Sequence, residues 1–274
     1  MTSIKRRRWR NIRIFLLLCI LVLAVHFVLN VSMYPSAWLS GWVLLALILG
    51  LASYNARKKL TFIPLARSST WLQIHIYAGL LTLPLFLVHI EYRPPNGVFE
   101  VSLALLYLSV FLSGVFGLIL TRVIPQRLTT RGSEVIFERI PVYINKLRTE
   151  VESYVLESVS ETDTTAVPRF YLNRLQAFFE RPRHFWLHLV HSNRPRQALL
   201  TDIKALGRYL NKAEQERMLL IEDRVRTKDD LDYQYSMQVV LKLWLFVHVP
   251  LTYSLLIFAA FHVLLVHAFA GAIR

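Results

Sequence analysis

Cysteine is nearly absent from this chain: Cys19 is the only one among 274 residues. It stands inside the first apolar run, so the chain cannot form a disulfide framework of its own. A CxxCH site for covalent haem, a thiolate-held iron–sulfur cluster and a cysteine-rich zinc site are excluded with it. No GxGxxG or other dinucleotide fingerprint occurs, so the chain is not expected to draw electrons from NAD(P)H by itself. Any redox chemistry must use histidine-bound groups or a partner's cofactors. No convincing set of alternating strands is present either, which points to an all-α protein. Acid is scarce, at 18 Asp and Glu against 32 Lys and Arg.

What the chain does have is apolar length. It is 54% hydrophobic with a mean hydropathy of +0.40, and yet carries a formal charge of +14. That combination fits a membrane protein with basic cytoplasmic parts, and nucleic acid is not an expected partner. Five segments approach the roughly 20 apolar residues needed to cross the hydrocarbon core: Ile14 to Val31, Ala37 to Tyr54, Trp71 to Ile90, Val98 to Thr121 and Val239 to Ala270. The run after Lys5-Arg6-Arg7-Arg8-Trp9-Arg10 resembles a secretory signal, but it is long and has no clear small-x-small cleavage site, so it reads as an uncleaved first membrane helix.

Arg57, Lys58, Lys59 and Arg67 fill one loop without any acid, whereas the turn EYRPPNG from Glu91 to Gly97 holds only Arg93 as a basic residue. Positive charge therefore alternates sides, and the N-terminus and residues 122 to 238 are expected in the cytoplasm of a cell with an inner, cytoplasmic membrane. The C-terminus would then lie outside. Expected domains are residues 1–121 (four membrane helices), 122–238 (a cytoplasmic helical insert, nearly balanced in charge) and 239–274 (the fifth membrane helix). Within the insert, helices are expected around Ser133 to Leu147, Pro168 to Phe179, Arg196 to Leu210 and Lys212 to Arg226, with a loop at Glu161 to Thr165. Asp229, Asp230 and Asp232 would lead into the fifth membrane helix.

One pattern occurs twice. Trp71, His75 and His89 read W-x3-H-x13-H, and so do Trp244, His248 and His262. A step of 14 residues is nearly four turns of an α-helix, so the two histidines of a copy face one way, roughly 21 Å apart. With one crossing between them, the third and fifth helices run parallel. His75 is then expected opposite His248 on the cytoplasmic side, and His89 opposite His262 on the outer side, with the two tryptophans at matching interfacial depth.

Haem iron in an electron-transfer site needs two strong axial ligands, and imidazoles from facing helices supply them. The plainer reading makes each histidine a polar packing residue bonded to a neighbouring helix. For the lone His26 that reading is preferred; for the doubled motif, haem ligation is. Small residues where a porphyrin would pass backbone are Ala78, Gly79, Ser113, Gly114, Gly117, Ala259 and Ala260. Propionate partners are Arg122, Lys242, Arg67 and Lys59 inside and Arg93 outside, any of which could instead be an interfacial anchor. His267 turns about 140° from the ligand face; with Glu91 it could exchange protons with a quinone, or be an interfacial histidine. His184, His188 and His191 have the spacing of a helix-face metal site, which the flanking Arg181, Arg183 and Arg194 disfavour.

Two paired histidines 14 apart on two parallel membrane helices resemble di-haem b-type membrane cytochromes. Both the cytochrome b subunit of quinol-oxidising complexes and the membrane core of ferric reductases and NADPH oxidases are similar here, the latter in its helix numbering too. The resemblance covers roughly Trp71 to Thr121 and Gln238 to Ala270. It implies two haems b, one on His75 with His248 and one on His89 with His262, each pair holding one iron. The chain departs from the ferric reductase pattern in lacking a sixth helix and a flavin and nicotinamide module, and no cytochrome b quinol-site signature is recognisable.

The expected function is thus a di-haem cytochrome relaying electrons across the membrane, in either direction, between quinol or quinone and a redox partner such as a soluble or periplasmic multihaem cytochrome. It could serve as the membrane subunit of a quinol-linked oxidoreductase complex, with other membrane subunits beside it, and the insert would dock a partner near the inner haem. The alternative is a membrane-anchored scaffold or sensor with structural histidines and a partner-binding cytoplasmic domain. A metal or haem transporter ranks last, because few other ionisable groups line the membrane helices.

Overall fold

The computed structural model describes residues 3–54, 68–129, 135–162 and 165–269. Arg57, Lys58, Lys59, Arg67 and Ser133, part of the loop expected at 161–165 and residues 270–274 lie outside these. Among the described residues there is no strand. Four helices are long and apolar enough to cross a membrane: α1 (Ser3–Val31), α3 (Ser68–His89), α4 (Val98–Leu128) and α10 (Lys212–Phe269). Helix α2 (Ser36–Ala52) is equally apolar but has 17 residues. At 1.5 Å per residue it spans only about 26 Å of a core about 30 Å thick.

The chain divides into two compact units, and α4 and α10 contribute to both. The first contains residues 1–119 and 244–274. Its helices end on local signals. After α1, Met33 takes φ +56 and Tyr34 N–H reaches back to the Leu29 carbonyl at 3.0 Å, a left-handed helix stop that the following Pro35 makes final. After α3, Glu91 and Tyr92 take φ +51 and +58, and Tyr92 N–H bonds Leu87 O at 3.0 Å.

Ser36, Ser40, Leu44 and Ile48 form the buried stripe of α2, one residue per turn. Leu44 and Ile48 pack with Leu85, Phe86, Tyr107 and Leu255 into one core. Inside it Phe86 stacks on Tyr107 at 4.2 Å, and the Tyr107 hydroxyl donates to Thr82 Oγ1 at 2.9 Å. The outward faces stay apolar, with Leu17, Phe27 and Phe246 more than 60% exposed. In water such surface would be costly; in acyl chains it is the matching surface.

The second unit contains residues 120–243. Its main helices are α5 (Ile140–Thr162), α9 (Arg194–Gly207) and the first part of α10; the short α6 (Ala166–Phe170), α7 (Gln176–Glu180) and α8 (Phe185–Leu189) connect them, with a π turn at Tyr171–Leu175. Ile140, Ile144, Leu147, Val151 and Val155 make one face of α5, packed with Phe178, Phe179, Ile203, Ile221 and Val225 among others. Helix α10 starts on a reciprocal capping box: Asn211 Oδ1 accepts from Glu214 N–H at 2.9 Å, and Glu214 Oε2 accepts from Asn211 N–H at 3.0 Å.

One expectation changes here. The segment Lys212 to Arg226 and the fifth membrane segment belong to one helix of 58 residues, because Asp229, Asp230 and Asp232 interrupt neither the helical period nor its hydrogen bonding. Within the second unit, residues 120–243, Ile124 and Leu128 share a small core with Tyr233 and Met237.

Candidate functional site

All four motif histidines lie in the first unit, His75 and His89 on α3 and His248 and His262 on α10. His89 and His262 come together with ring centroids 6.1 Å apart and planes at 89°. His75 lies within electrostatic range of His248. So the fold groups the histidines across helices, early with early and late with late.

Each ring is held by named neighbours. His89 Nδ1 is 2.9 Å from the Ala37 carbonyl on α2. That carbonyl can only accept, so Nδ1 carries the proton and Nε2 keeps its lone pair. The ring passes Gly41 so closely that a Cβ there would stand 2.8 Å from His89 Cε1. His262 is flanked on its other side by Phe99, at 6.4 Å and nearly parallel. His248 Nδ1 is 3.2 Å from Ser113 Oγ on α4, and its ring stacks on Trp244 at 5.4 Å. His75 packs beside Tyr54 at 5.0 Å, and its Nδ1 is buried without a hydrogen-bond partner.

A cavity of about 390 Å³ opens beside the late pair, lined by His89, His262 and His267 together with Trp38, Gly41 and Trp42. Its size lies within the usual range for small-molecule and cofactor sites. Among the described residues, no Asp, Glu, Lys or Arg lines it.

Compared with protein-family models, curated proteins and solved structures, the chain matches none. The site must therefore be judged on its own geometry. Two imidazoles on opposite sides of one metal ion, with metal–nitrogen bonds of about 2 Å, have ring centres about 6 Å apart. The His89–His262 pair has that spacing. Together with the free Nε2 of His89, the unpartnered Nδ1 of His75 and the adjoining apolar cavity, the residues fit a haem iron held by two histidines. Among the described residues, no group of three or more His, Cys, Asp or Glu could hold a metal ion, but an axial pair requires only two side chains.

Other expected positions find different roles. Gly117, expected beside a porphyrin, lies under the Trp244 ring, which a Cβ would overlap. Trp244 Nε1 donates to the Ser113 carbonyl at 2.9 Å, so this indole N–H is spent on α4. Gly79 has open space beside it. Lys242 pairs with Glu138 at 2.7 Å and lies 3.8 Å over Phe137, in the second unit. Arg93 is exposed and Arg122 belongs to the second unit. His267 lines the late-pair cavity despite its turn from the ligand face, with its edge on Trp42 at 5.7 Å; Glu91 does not line that cavity.

The insert histidines form no metal site. His188 is buried 3.8 Å from Asp229, His191 neighbours Tyr233, and His184 begins α8 at φ +60. Burial first, then the charges of Lys228 and Arg183, push the His184 pKa down. Those cations would also repel a divalent ion.

Sequence reasoning missed the part of α2. Its signal was present as Ser36, Ala37, Ser40 and Gly41, small residues on neighbouring positions of one face where another helix can approach closely.

Proposed function

We propose that this chain is a di-haem b-type cytochrome that relays electrons across a membrane between quinol or quinone and a redox partner protein. The observation that carries the reading is the pairing of His89 with His262 at 6.1 Å, with His75 and His248 at the corresponding positions one motif step away on the same two helices. In this reading His75 and His248 hold the inner haem and His89 and His262 the outer one, and haem b supplies one-electron exchange at its iron. The protein's own work is positional. Ala37 fixes the tautomer and plane of His89, Ser113 orients the ring of His248, and the walls of the late-pair cavity are apolar.

The topology belongs to the proposal too: five crossings counting α2, an inner-membrane location, the N-terminus and insert cytoplasmic, and the C-terminus outside. Arg93 is the outer candidate for a propionate. The partner would be a soluble or periplasmic redox protein, or other subunits of a quinol-linked complex.

An optical spectrum of the purified protein tests the reading. A Soret band and a b-type alpha band on dithionite reduction are expected; a colourless protein after expression with ample haem supply would end the proposal. Gly41→Ala gives a local test, because its methyl group would press on the His89 ring. The outer haem should then be lost about ten-fold faster on dilution, comparable to disturbing a metal ligand's supporting shell, while the inner haem is retained. Equal loss of both, or of neither, would argue against His89 as a ligand.

The hydrogen bonds of His89 to Ala37 and of His248 to Ser113 also favour a second reading, since a purely structural histidine makes such bonds. It describes a membrane-anchored scaffold or sensor whose second unit binds a partner. That protein is colourless, and its four histidines tolerate substitution.

A further inference from the structure

A second cavity, of about 250 Å³, lies in the first unit among α1, α2 and α3. Its walls are aliphatic, Leu21, Val25, Leu39, Val43 and Leu85 among them, and among the described residues no Asp, Glu, Lys or Arg lines it. Three polar side chains do: His26, Ser36 and Ser40. Ser40 is satisfied, since its hydroxyl donates to the carbonyls of Ser36 and Ala37 at 2.8 and 3.1 Å. The other two are not. Ser36 is 2% exposed, and its Oγ has no hydrogen-bond partner. His26 Nδ1 is likewise buried and unpaired.

The tautomer of His26 follows from its other nitrogen. Asn30 Nδ2 lies 3.1 Å from His26 Nε2, and an amide NH2 can only donate. Nε2 is therefore the acceptor and the neutral ring carries its proton on Nδ1. The cavity thus offers two unused donors, the His26 Nδ1–H and the Ser36 hydroxyl, in an otherwise apolar cleft. An unsatisfied buried donor is destabilising, and a ligand acceptor removes that cost.

This donor set selects a class of ligand. A charged ligand would find no counter-ion, and a polyol would leave most of its hydroxyls unpaired. A neutral, flat, lipid-soluble ring with carbonyl acceptors matches both the donors and the walls. We infer that the cavity between His26 and Ser36 binds the headgroup of a membrane quinone, its carbonyl oxygens accepting from the His26 Nδ1–H and the Ser36 hydroxyl.

The position suits the redox reading, on which the choice of a quinone rests. Val88 lines the cavity and is followed by His89; Ser36 lines it and is followed by Ala37, whose carbonyl orients the His89 ring. The quinone headgroup would therefore lie against the residues that support the outer pair. Tyr92, just past α3, closes on His26 at 5.9 Å.

The test is direct binding of a decyl-substituted benzoquinone to the full chain in detergent, by isothermal titration calorimetry, with decylbenzene as the control without carbonyls. Ser36→Ala leaves the start of α2 intact, because the Ser36 hydroxyl makes no hydrogen bond, and should weaken quinone binding about three- to ten-fold, the usual worth of one neutral hydrogen bond. His26→Leu should do the same, and Val43→Phe, which fills the cavity, should abolish binding. Decylbenzene should bind more weakly than the quinone and ignore Ser36→Ala. Equal quinone affinity in the wild type and both polar variants would overturn the inference, as would decylbenzene binding as tightly as the quinone.

Optical spectra taken on the same samples separate this result from the haem reading. A b-type spectrum with no quinone binding counts against the quinone site alone. Variant-sensitive quinone binding by a colourless protein supports the site and counts against the haems.

Discussion

A His75→Ala variant is expected to lose about half of the reduced-minus-oxidised b-type absorbance, and His248→Ala the same half, because a haem held by two imidazoles does not survive the loss of one. His89→Ala and His262→Ala should lose the other half. A redox titration makes the assignment sharp, since each variant should retain one potential step, shared within a pair and different between pairs. The late pairing follows from geometry, with His89 and His262 at 6.1 Å; the early pairing follows from the motif step that sets His75 and His248 at corresponding positions of the same two helices. Losses grouped by helix instead, His75 with His89, would contradict it. Retention of both haems in all four variants would remove the histidines from the site altogether.

The second large effect belongs to the other unit. Lys228 and Asp232 are fully buried and joined through Nζ and Oδ2. Lys228 also donates to the Arg181 carbonyl at 3.0 Å and lies 4.1 Å over the Phe178 ring, while Arg183 N–H donates to Asp232 Oδ2 at 3.3 Å. Removing either partner leaves the other charge buried alone, so Lys228→Met and Asp232→Leu should each destabilise the unit by about 3–5 kcal/mol. The double variant should cost much less than either single one, because apolar groups of similar volume replace the pair. Urea unfolding followed by circular dichroism, with the full chain in detergent, would check this; strictly additive losses would show that the pair does not act as one.

The pair also sets a pH dependence. Burial pushes the Asp232 carboxyl up to about 7, against the pull of Lys228. A folded-state pKa above the unfolded one means that the folded state holds the proton longer, so this group's contribution to stability falls as pH rises from the ordinary carboxylate range through about 7. In Lys228→Met the opposing charge is gone and Asp232 is harder still to ionise. Its deficit relative to the wild type should therefore grow between pH 5 and pH 8. A deficit constant over that window would place the Asp232 titration elsewhere.

How much of this was legible in advance depended on range along the chain. The apolar face of α5, from Ile140 to Val155, is a repeat at helical spacing and needs no partner to be recognised. The capping box at Asn211 and Glu214 is a four-residue signal. The helix from Lys212 is expected to stop at Arg226, whereas a helix backbone tolerates the three acids that follow and Asp232 meets Lys228 one turn earlier. A lone histidine such as His26 reads as a packing group, and nothing local shows that Asn30 would meet its Nε2 while its Nδ1 is left without a partner.

Sequence alone determined the helical class, the apolar runs and the two W-x3-H-x13-H copies, all of which follow from periodicity and composition within a single segment. Tertiary structure decided what those histidines meet: Ala37 and Gly41 against His89, Ser113 against His248, and an unsatisfied Ser36 beside His26. The reason is physical. A hydrogen bond or a ring contact depends on positions a few ångströms apart in space and often more than fifty residues apart in sequence, and only the packing of one helix on another sets that distance.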